Sequence, residues 1–381
     1  AAAMPILLSA LFGNGLGVLT ALVGGVLASY LGSRGHEIAL YTILSGTLGA
    51  LTIGRADQLR SFLWSGLAAS TAALAVIVVF RFPDPATSML EKITLVGMGI
   101  GSGMLSAILS LGLLQPIGNL LGVITSMQLY ELARPDNPVL QLLLRNAPGT
   151  YQHSLQVANL AEQAAREIGA NPLLTRVGAL YHDSGKAVRA QFYIENQLPG
   201  QNVHEQLDPT TSAGIIVSHV QEGLELARKY RLPAIVQHFI SEHHGTMRAS
   251  YQYREALETV GGDESKLDPR DFTYPGPRPH SRETALLMLA DGVEAKTRAD
   301  NPRDEEALDE VVHKLIKERL DQGQLDNTDL TLRDLETIRH SFVSTLKGIY
   351  HPRIRYPGSD ADAEQQPPAA NSDSPAPPQD A

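Results

Sequence analysis

The chain has 381 residues, no cysteine, a formal net charge of −10 and a mean hydropathy of −0.07. The lack of cysteine excludes a disulfide framework, a Cys-ligated zinc or iron–sulfur centre and thiol catalysis. The acidic balance, without clustered Lys and Arg, argues against duplex DNA as a partner.

The near-neutral average hides two unlike parts. Residues 1–130 carry five basic side chains (Arg34, Arg55, Arg60, Arg81, Lys92) and four acidic ones (Glu37, Asp57, Asp84, Glu91), so the acidic excess belongs to the remainder. A bilayer span needs about 20 mostly apolar residues. Four stretches meet or approach that length: Leu16–Leu31, Ile38–Ile53, Phe62–Phe80 and Ile93–Leu114. Gly97 with Gly101, and Gly99 with Gly103, repeat at the spacing that lets helices approach closely in lipid. The start at Ala-Ala-Ala-Met carries no basic n-region and reads as a fragment, with sequence expected upstream. Arg55 and Arg60 between the second and third spans place that loop, and with it the C-terminal part, on the cytoplasmic side.

After Gln115-Pro116 a connector over 116–137 leads to a helical region over 138–356. Apolar spacing predicts helices over Tyr151–Ile168, then from Asn171-Pro172 to His182-Asp183, and over Pro209–Tyr230, Pro233–His243, Ser281–Arg298, Asp304–Leu320 and Thr331–Gly348. Strand alternation is scarce, so the fold class is all-α. Gly261–Pro279 reads as an ordered loop, and residues 357–381 as a disordered tail by composition.

Several ionisable residues follow directly on apolar helical runs: His182 and Asp183, His219, His243 and His244, and Asp291. His153 lies near a helix start. An unpaired polar group buried there costs several kcal/mol. A metal ion supplies the missing partner, and without cysteine the donor set is nitrogen and oxygen. Neighbours on a helix diverge by about 100°, so His182 and Asp183 serve different metals or one of them bridges; the same holds for His243 and His244. The remaining histidines, His36, His204, His238, His280, His313, His340 and His351, read as surface or structural, with His238 a candidate to support the metal ligands.

His182-Asp183-Ser184-Gly185-Lys186 resembles the His-Asp-x-Gly-Lys signature of HD-domain phosphohydrolases. The likeness extends to Ala147-Pro148-Gly149-Thr150-Tyr151-x-His153-Ser154, Ile194-Glu195-Asn196-Gln197, Ser218-His219, His243-His244-Gly245-Thr246, Tyr274-Pro275-Gly276-Pro277, Leu289-Ala290-Asp291 and Gly348-Ile349-Tyr350-His351-Pro352-Arg353. Together these resemble the membrane-anchored HD phosphohydrolases with a seven-helix receptor region, the PgpH type, over roughly residues 1–356.

The resemblance implies a transmembrane helical bundle over 1–115 followed by an all-helical, metal-dependent HD domain. It implies a multi-pass protein of the bacterial cell membrane, with the lipid bilayer and a cyclic dinucleotide as partners; a homo-oligomer is compatible with it. The implied reaction is hydrolysis of cyclic di-AMP to pApA at two divalent transition-metal ions, iron or manganese. By the resemblance, His153, His182, Asp183 and Asp291 match the ligands of one metal. Asp183, His219, His243 and His244 match those of the other. Lys186 matches a lysine near the substrate phosphate, so Asp183 and Lys186 are the expected catalytic pair. Ser184 departs from the usual apolar residue, and the extracellular sensing domain and about three spans are expected to lie outside this chain.

Two other readings compete: an HD hydrolase of another nucleotide, and a non-catalytic nucleotide-binding membrane receptor. A cyclic di-GMP hydrolase of the HD type would carry Gly-Tyr-Pro soon after the paired histidines, where this chain has Gly245-Thr246-Met247. A transporter is disfavoured because the spans lack interior charges.

Overall fold

The computed structural model describes residues 1–30, 34–54, 58–198 and 200–349. Arg55, the 357–381 segment, His351 and the end of the Gly348–Arg353 motif lie outside the described residues.

The first part is a bundle of five helices: α1 (Ala3–Phe12), α2 (Asn14–Ala28), α3 (Gly35–Thr52), α4 (Leu59–Arg81) and α5 (Met89–Leu121). Two of them, α4 and α5, are long and apolar enough to cross a membrane, while α1 and α2 are shorter apolar helices. The expected first span ends three residues early, at Ala28, and is preceded by α1, which the sequence reading did not separate. Gly13, at φ +93°, breaks the chain between α1 and α2.

Helix α5 opens on a reciprocal capping box, in which Ser88 accepts from the Glu91 amide and Glu91 accepts from the Ser88 amide. It runs past the expected boundary at Gln115-Pro116 and stops only at Gly122, in the left-handed region at φ +68°. Pro116 therefore removes one hydrogen bond without ending the helix.

The two glycine pairs of α5 have different fates. A Cβ on Gly99 would lie 2.8 Å from Ile77, and one on Gly103 would lie 2.6 Å from the Gly66 carbonyl oxygen. Gly97 and Gly101 meet nothing within 4 Å. Only one pair is the packing seam against α4. Ser70 Oγ adds a hydrogen bond to the Ile100 carbonyl across it, at 3.0 Å. Leu105, Ile108 and Leu109 face outward.

The connector is ordered. It contains α6 (Ser126–Leu132), whose Leu129 is buried in the core of the second part. That part comprises α7 (Pro138–Asn146), α8 (Pro148–Glu167), α9 (Pro172–Tyr181), α10 (Pro209–Lys229), α11 (Ala234–Glu242), α12 (Ser250–Thr259), α13 (Arg282–Asp300), α14 (Glu305–Asp321) and α15 (Leu332–Ile349). The predicted helices are present, with ends shifted by one to three residues. Helices α7 and α12 and the short 3-10 turns inside Gly261–Pro279 are additions. Among the described residues the only β pairing is an isolated bridge between Arg248 and Thr273.

Helix α13 is the spine. Every residue from Thr284 to Asp291 is buried, as expected of a helix surrounded by others. Leu160 and Ala164 of α8, Val177 of α9, Phe239 and Ile240 of α11, Val312 of α14 and Phe342 of α15 share its core. Each large aliphatic or aromatic side chain buried this way stabilises by about 1.5–3 kcal/mol. This rigid packing fixes the helix ends that carry the site.

Candidate metal centre

Five elements converge on one buried point. His153 comes from the second turn of α8, His182 and Asp183 from the C-terminus of α9, His219 from the middle of α10, His243 and His244 from the C-terminus of α11, and Asp291 from α13. His182 and His243 are the C-caps of their helices, which explains the pattern of a polar residue ending an apolar run. A 3-10 turn over Ser184–Ala187 then turns the chain away. Gly185 makes that turn possible: a Cβ there would lie 1.9 Å from the His219 carbonyl oxygen.

Three histidines share one device. His182 Nδ1 donates to the Ala179 carbonyl (2.7 Å), His219 Nδ1 to Ile216 (2.6 Å) and His243 Nδ1 to Ile240 (2.8 Å). Each bond fixes Nδ1 as a donor and turns Nε2 toward the centre. His153 achieves the same with a carboxylate, its Nδ1 bonding Glu294 Oε2. The Nε2 atoms meet Asp183 from two sides. Asp183 Oδ2 lies 3.3 Å from His182 Nε2 and 3.7 Å from His153 Nε2. Asp183 Oδ1 lies 3.3 Å from His219 Nε2 and 3.7 Å from His243 Nε2. Asp291 Oδ1 lies 3.0 Å from His153 Nε2 and 3.7 Å from His182 Nε2, while its Oδ2 is 4.0 Å from His244 Nδ1.

The donor atoms form two clusters, each compact enough for one ion: His153, His182 and Asp183, and His219, His243 and His244. Asp183 turns one oxygen to each. The structure thus brings together all seven residues singled out as ligands, and of the two arrangements left open for His182 and Asp183, Asp183 is the one between the clusters. The paired His243 and His244 stay in one cluster, their ring centroids 4.0 Å apart.

The electrostatics fit cations. His182 Nε2 and Asp183 Oδ1 are buried without a hydrogen-bond partner among the described residues. Burial disfavours charge on Asp183 and Asp291, yet both are held well below the usual carboxylate range, Asp183 by His182 and Lys186, Asp291 by His153 and His182. Burial pushes the His243 ring down to about 3, with His182 and His219 reinforcing it, and burial lowers His244 as well, with His243 and His219 reinforcing it. His182 is opposed by burial but raised to about 10 by Asp183 and Asp291. Positive charge on His182, on His153, which Asp291 and Glu294 likewise raise against burial, and on Lys186 offsets the carboxylates of Asp183, Asp291 and Glu195, and an ion bound at the histidine Nε2 atoms would take the place of those protons.

Lys186 Nζ lies 2.7 Å from Asp183 Oδ2 and 3.2 Å from Glu195 Oε1. Burial opposes its charge, but these two carboxylates hold it well above the usual lysine range. Glu195 in turn accepts from Thr150 Oγ1 at 2.8 Å.

Sequence reasoning missed Glu294, although it sits three residues after Asp291 on the same helix face. It met Tyr274 only inside a motif and gave it no role; the Tyr274 ring stacks on His244 with centroids 4.1 Å apart. His238 does not support a ligand directly: it is exposed and bonds Glu242 Oε1 at 2.8 Å. Glu242 is buried and also accepts from the His280 amide at 3.0 Å.

Comparison with known proteins agrees with this geometry. Residues 150–296 match the model of the HD domain, a family of metal-dependent hydrolases, and residues 1–125 match that of the "7TM receptor with intracellular HD hydrolase". Together with the two apolar helices, this makes the first part a membrane region. The chain is 37% identical over 363 residues to the cyclic-di-AMP phosphodiesterase PgpH of Bacillus subtilis, covering 93% of this chain and 50% of that protein. It is 35% identical over 322 residues to its namesake in Listeria monocytogenes, covering 84% and 44% respectively. The chain thus spans about half the length of these relatives. The crystal structure of the L. monocytogenes PgpH HD domain in complex with cyclic-di-AMP superposes with a TM-score of 0.53 at 40% identity, covering 57% of this chain and 100% of that one. The chain belongs to the membrane-anchored HD-domain phosphohydrolases of the PgpH type.

Proposed function

We propose that this protein is a phosphodiesterase that hydrolyses the cyclic dinucleotide cyclic di-AMP to linear pApA. The observation that carries the reading is Asp183 set between two histidine clusters, with one oxygen facing each. The 40% identity to an HD domain crystallised with cyclic-di-AMP supports the choice of substrate.

His153, His182, Asp183 and Asp291 would hold one divalent transition-metal ion, and Asp183, His219, His243 and His244 a second. Imidazole and carboxylate donors without thiolate suit iron or manganese. When bound, such ions lower the pKa of water and offset charge on phosphate oxygens. The remaining work falls to the chain. Nδ1 hydrogen bonds hold His182, His219 and His243 with Nε2 fixed in direction toward the ion sites, and Glu294 does so for His153; the protons that the carboxylates hold on His182 and His153 would leave as an ion binds. Asp183 and Asp291 stay ionised. Lys186, kept charged by Asp183 and Glu195, adds a fixed positive group beside the reacting phosphate. In the balanced reaction a water oxygen bonds phosphorus, the bond from phosphorus to the 3′ oxygen breaks, and that oxygen ends protonated.

The bundle of residues 1–121 anchors the enzyme in the cell membrane. Arg60, at the start of α4, supports placing the HD domain on the cytoplasmic side, where a second messenger is met.

The test uses the intact chain in detergent, stripped by chelator and reloaded with Fe(II) or Mn(II). The reloaded protein should convert cyclic di-AMP to pApA, resolved by chromatography. Asp183→Ala should abolish turnover and lower bound metal, because both clusters lose an oxygen. Near-normal hydrolysis by that variant refutes the scheme.

A further inference from the structure

A cavity of about 800 Å3 shares His244 and Tyr274 with the metal centre and extends along Arg248, Arg278 and Arg319, with Glu318 the one acidic residue in its wall. This positive cleft stands out in a chain of net charge −10, beside a centre dominated by carboxylates. Its volume falls within the range of about 300–1,000 Å3 usual for small-molecule sites.

The three arginines are not equally committed. Arg248 lies over the Tyr253 ring, 4.0 Å from its centroid. Arg319 bonds Glu318 at 2.9 Å and reaches Gln322 at 3.5 Å, and its buried Nε has no hydrogen-bond partner among the described residues. Among the described residues Arg278 makes only long hydrogen bonds, 3.3 Å to Thr246 Oγ1 and 3.5 Å to Asp326 Oδ2, and its side chain is 38% exposed. A guanidinium offers five donors in a planar fork, so Arg278 keeps most of its fork for a ligand.

Its position is also tied to the centre. Thr246 follows His244 by two residues. Gln324 clamps that turn, accepting from the Thr246 amide at 3.0 Å and donating to its hydroxyl at 3.2 Å. Arg278 bonds the same hydroxyl. Clamp, turn and arginine therefore hold a fixed relation to His244.

A cyclic dinucleotide carries two phosphodiesters on opposite sides of one ring, and the centre acts on one of them. We propose that Arg278, together with Arg319, binds the second, uncleaved phosphodiester, and so selects a dinucleotide over a substrate with a single phosphodiester. This assignment rests on the dinucleotide reading above.

The intact Mn(II)-loaded chain is assayed on cyclic di-AMP and on bis(p-nitrophenyl) phosphate, which has one phosphodiester. Arg278→Gln should raise KM for cyclic di-AMP about tenfold or more. It should also lower the ratio of kcat/KM for cyclic di-AMP to that for bis(p-nitrophenyl) phosphate by a similar factor. Arg278→Lys, which keeps the charge but loses the fork, should move the ratio less, by about threefold. A ratio unmoved in both variants overturns the assignment. If Arg278→Gln loses both activities, Arg278→Lys decides, a shifted ratio supporting and an unshifted one refuting. Wild-type protein that cleaves bis(p-nitrophenyl) phosphate but not cyclic di-AMP refutes instead the dinucleotide reading on which the assignment depends.

Discussion

His153, a candidate metal ligand, shows how much an imidazole's direction depends on the group behind it. Its Nε2 faces Asp291 at 3.0 Å because Nδ1 is tied to Glu294, a buried carboxylate three residues further along α13. Glu294→Gln keeps the shape and removes the charge that orients and enriches the imidazole. Loss of such a partner typically costs 10–100-fold in metal affinity. Titration of the stripped protein with Mn(II) against a competing chelator should show a loss of about that size while the circular dichroism stays unchanged. Unaltered affinity would mean that Glu294 serves only to fill the core. Six of the seven ligand candidates were legible in the sequence because an ionisable group after an apolar run is costly without a partner; His153, near a helix start, was legible only with the motif around it. Glu294 was not, since an acid on a helix that also carries Arg298 and Asp300 reads as a solvated face. Ser184, the departure from the usual apolar residue, is buried, with its hydroxyl lacking a hydrogen-bond partner among the described residues.

The start of α8 belongs to the next scale. Ala147 gives no side-chain cap, and the cap comes instead from the 3-10 turn over Ile194–Asn196. Asn196 Oδ1 accepts from the Gly149 amide at 2.9 Å and from the Thr150 amide at 3.2 Å. The approach is so close that a Cβ on Gly149 would lie 1.8 Å from the Glu195 carbonyl oxygen. Gly149→Ala must push that turn away, and with it Glu195, the partner of Lys186. The variant should lose about 2 kcal/mol or more of stability in denaturant melts. Gly214→Ala, in the exposed middle of α10 with nothing within 4 Å of a Cβ, should gain up to about 1 kcal/mol. Equal effects at the two sites would remove the case for a cap borrowed across 46 residues of chain. Both motifs were visible in the sequence, yet their mutual contact was not, because it joins segments of no shared periodicity. Helices were readable to within three residues where an apolar stripe ran between clear start and stop signals; α6 is only seven residues long, α12 buries only Gln252 and Ala256 and so has no apolar stripe, and α1 carries no charged residue to mark its ends.

Across the whole molecule, the membrane region leads into the HD domain by a short packed route. Helix α5 continues to Leu121, and α6 follows, placing Leu129 in the core. Tyr181, the residue before His182, donates from its hydroxyl to the Leu132 carbonyl at the end of α6 at 2.8 Å. The integrity of the α4–α5 seam therefore bears on where α6 can sit. The sequence offered two glycine pairs on α5 with identical spacing, and nothing in the spacing distinguishes a packing seam from a lipid-facing stripe. The seam is settled by neighbours: a Cβ on Gly103 would meet Ser70 Oγ at 2.2 Å and backbone of Gly66 and Ser70 at 2.6 Å, while Gly101 has open space. Without a hydrophobic driving force between helices in lipid, such close approach and its hydrogen bonds carry the association. Gly103→Leu should therefore lower the melting temperature of the detergent-solubilised chain and shift it toward aggregate on size exclusion. Gly101→Leu, two residues away and equally bulky, should leave both measurements near wild type. The contrast separates seam from stripe, because a bundle held by general apolarity would respond to the two substitutions alike.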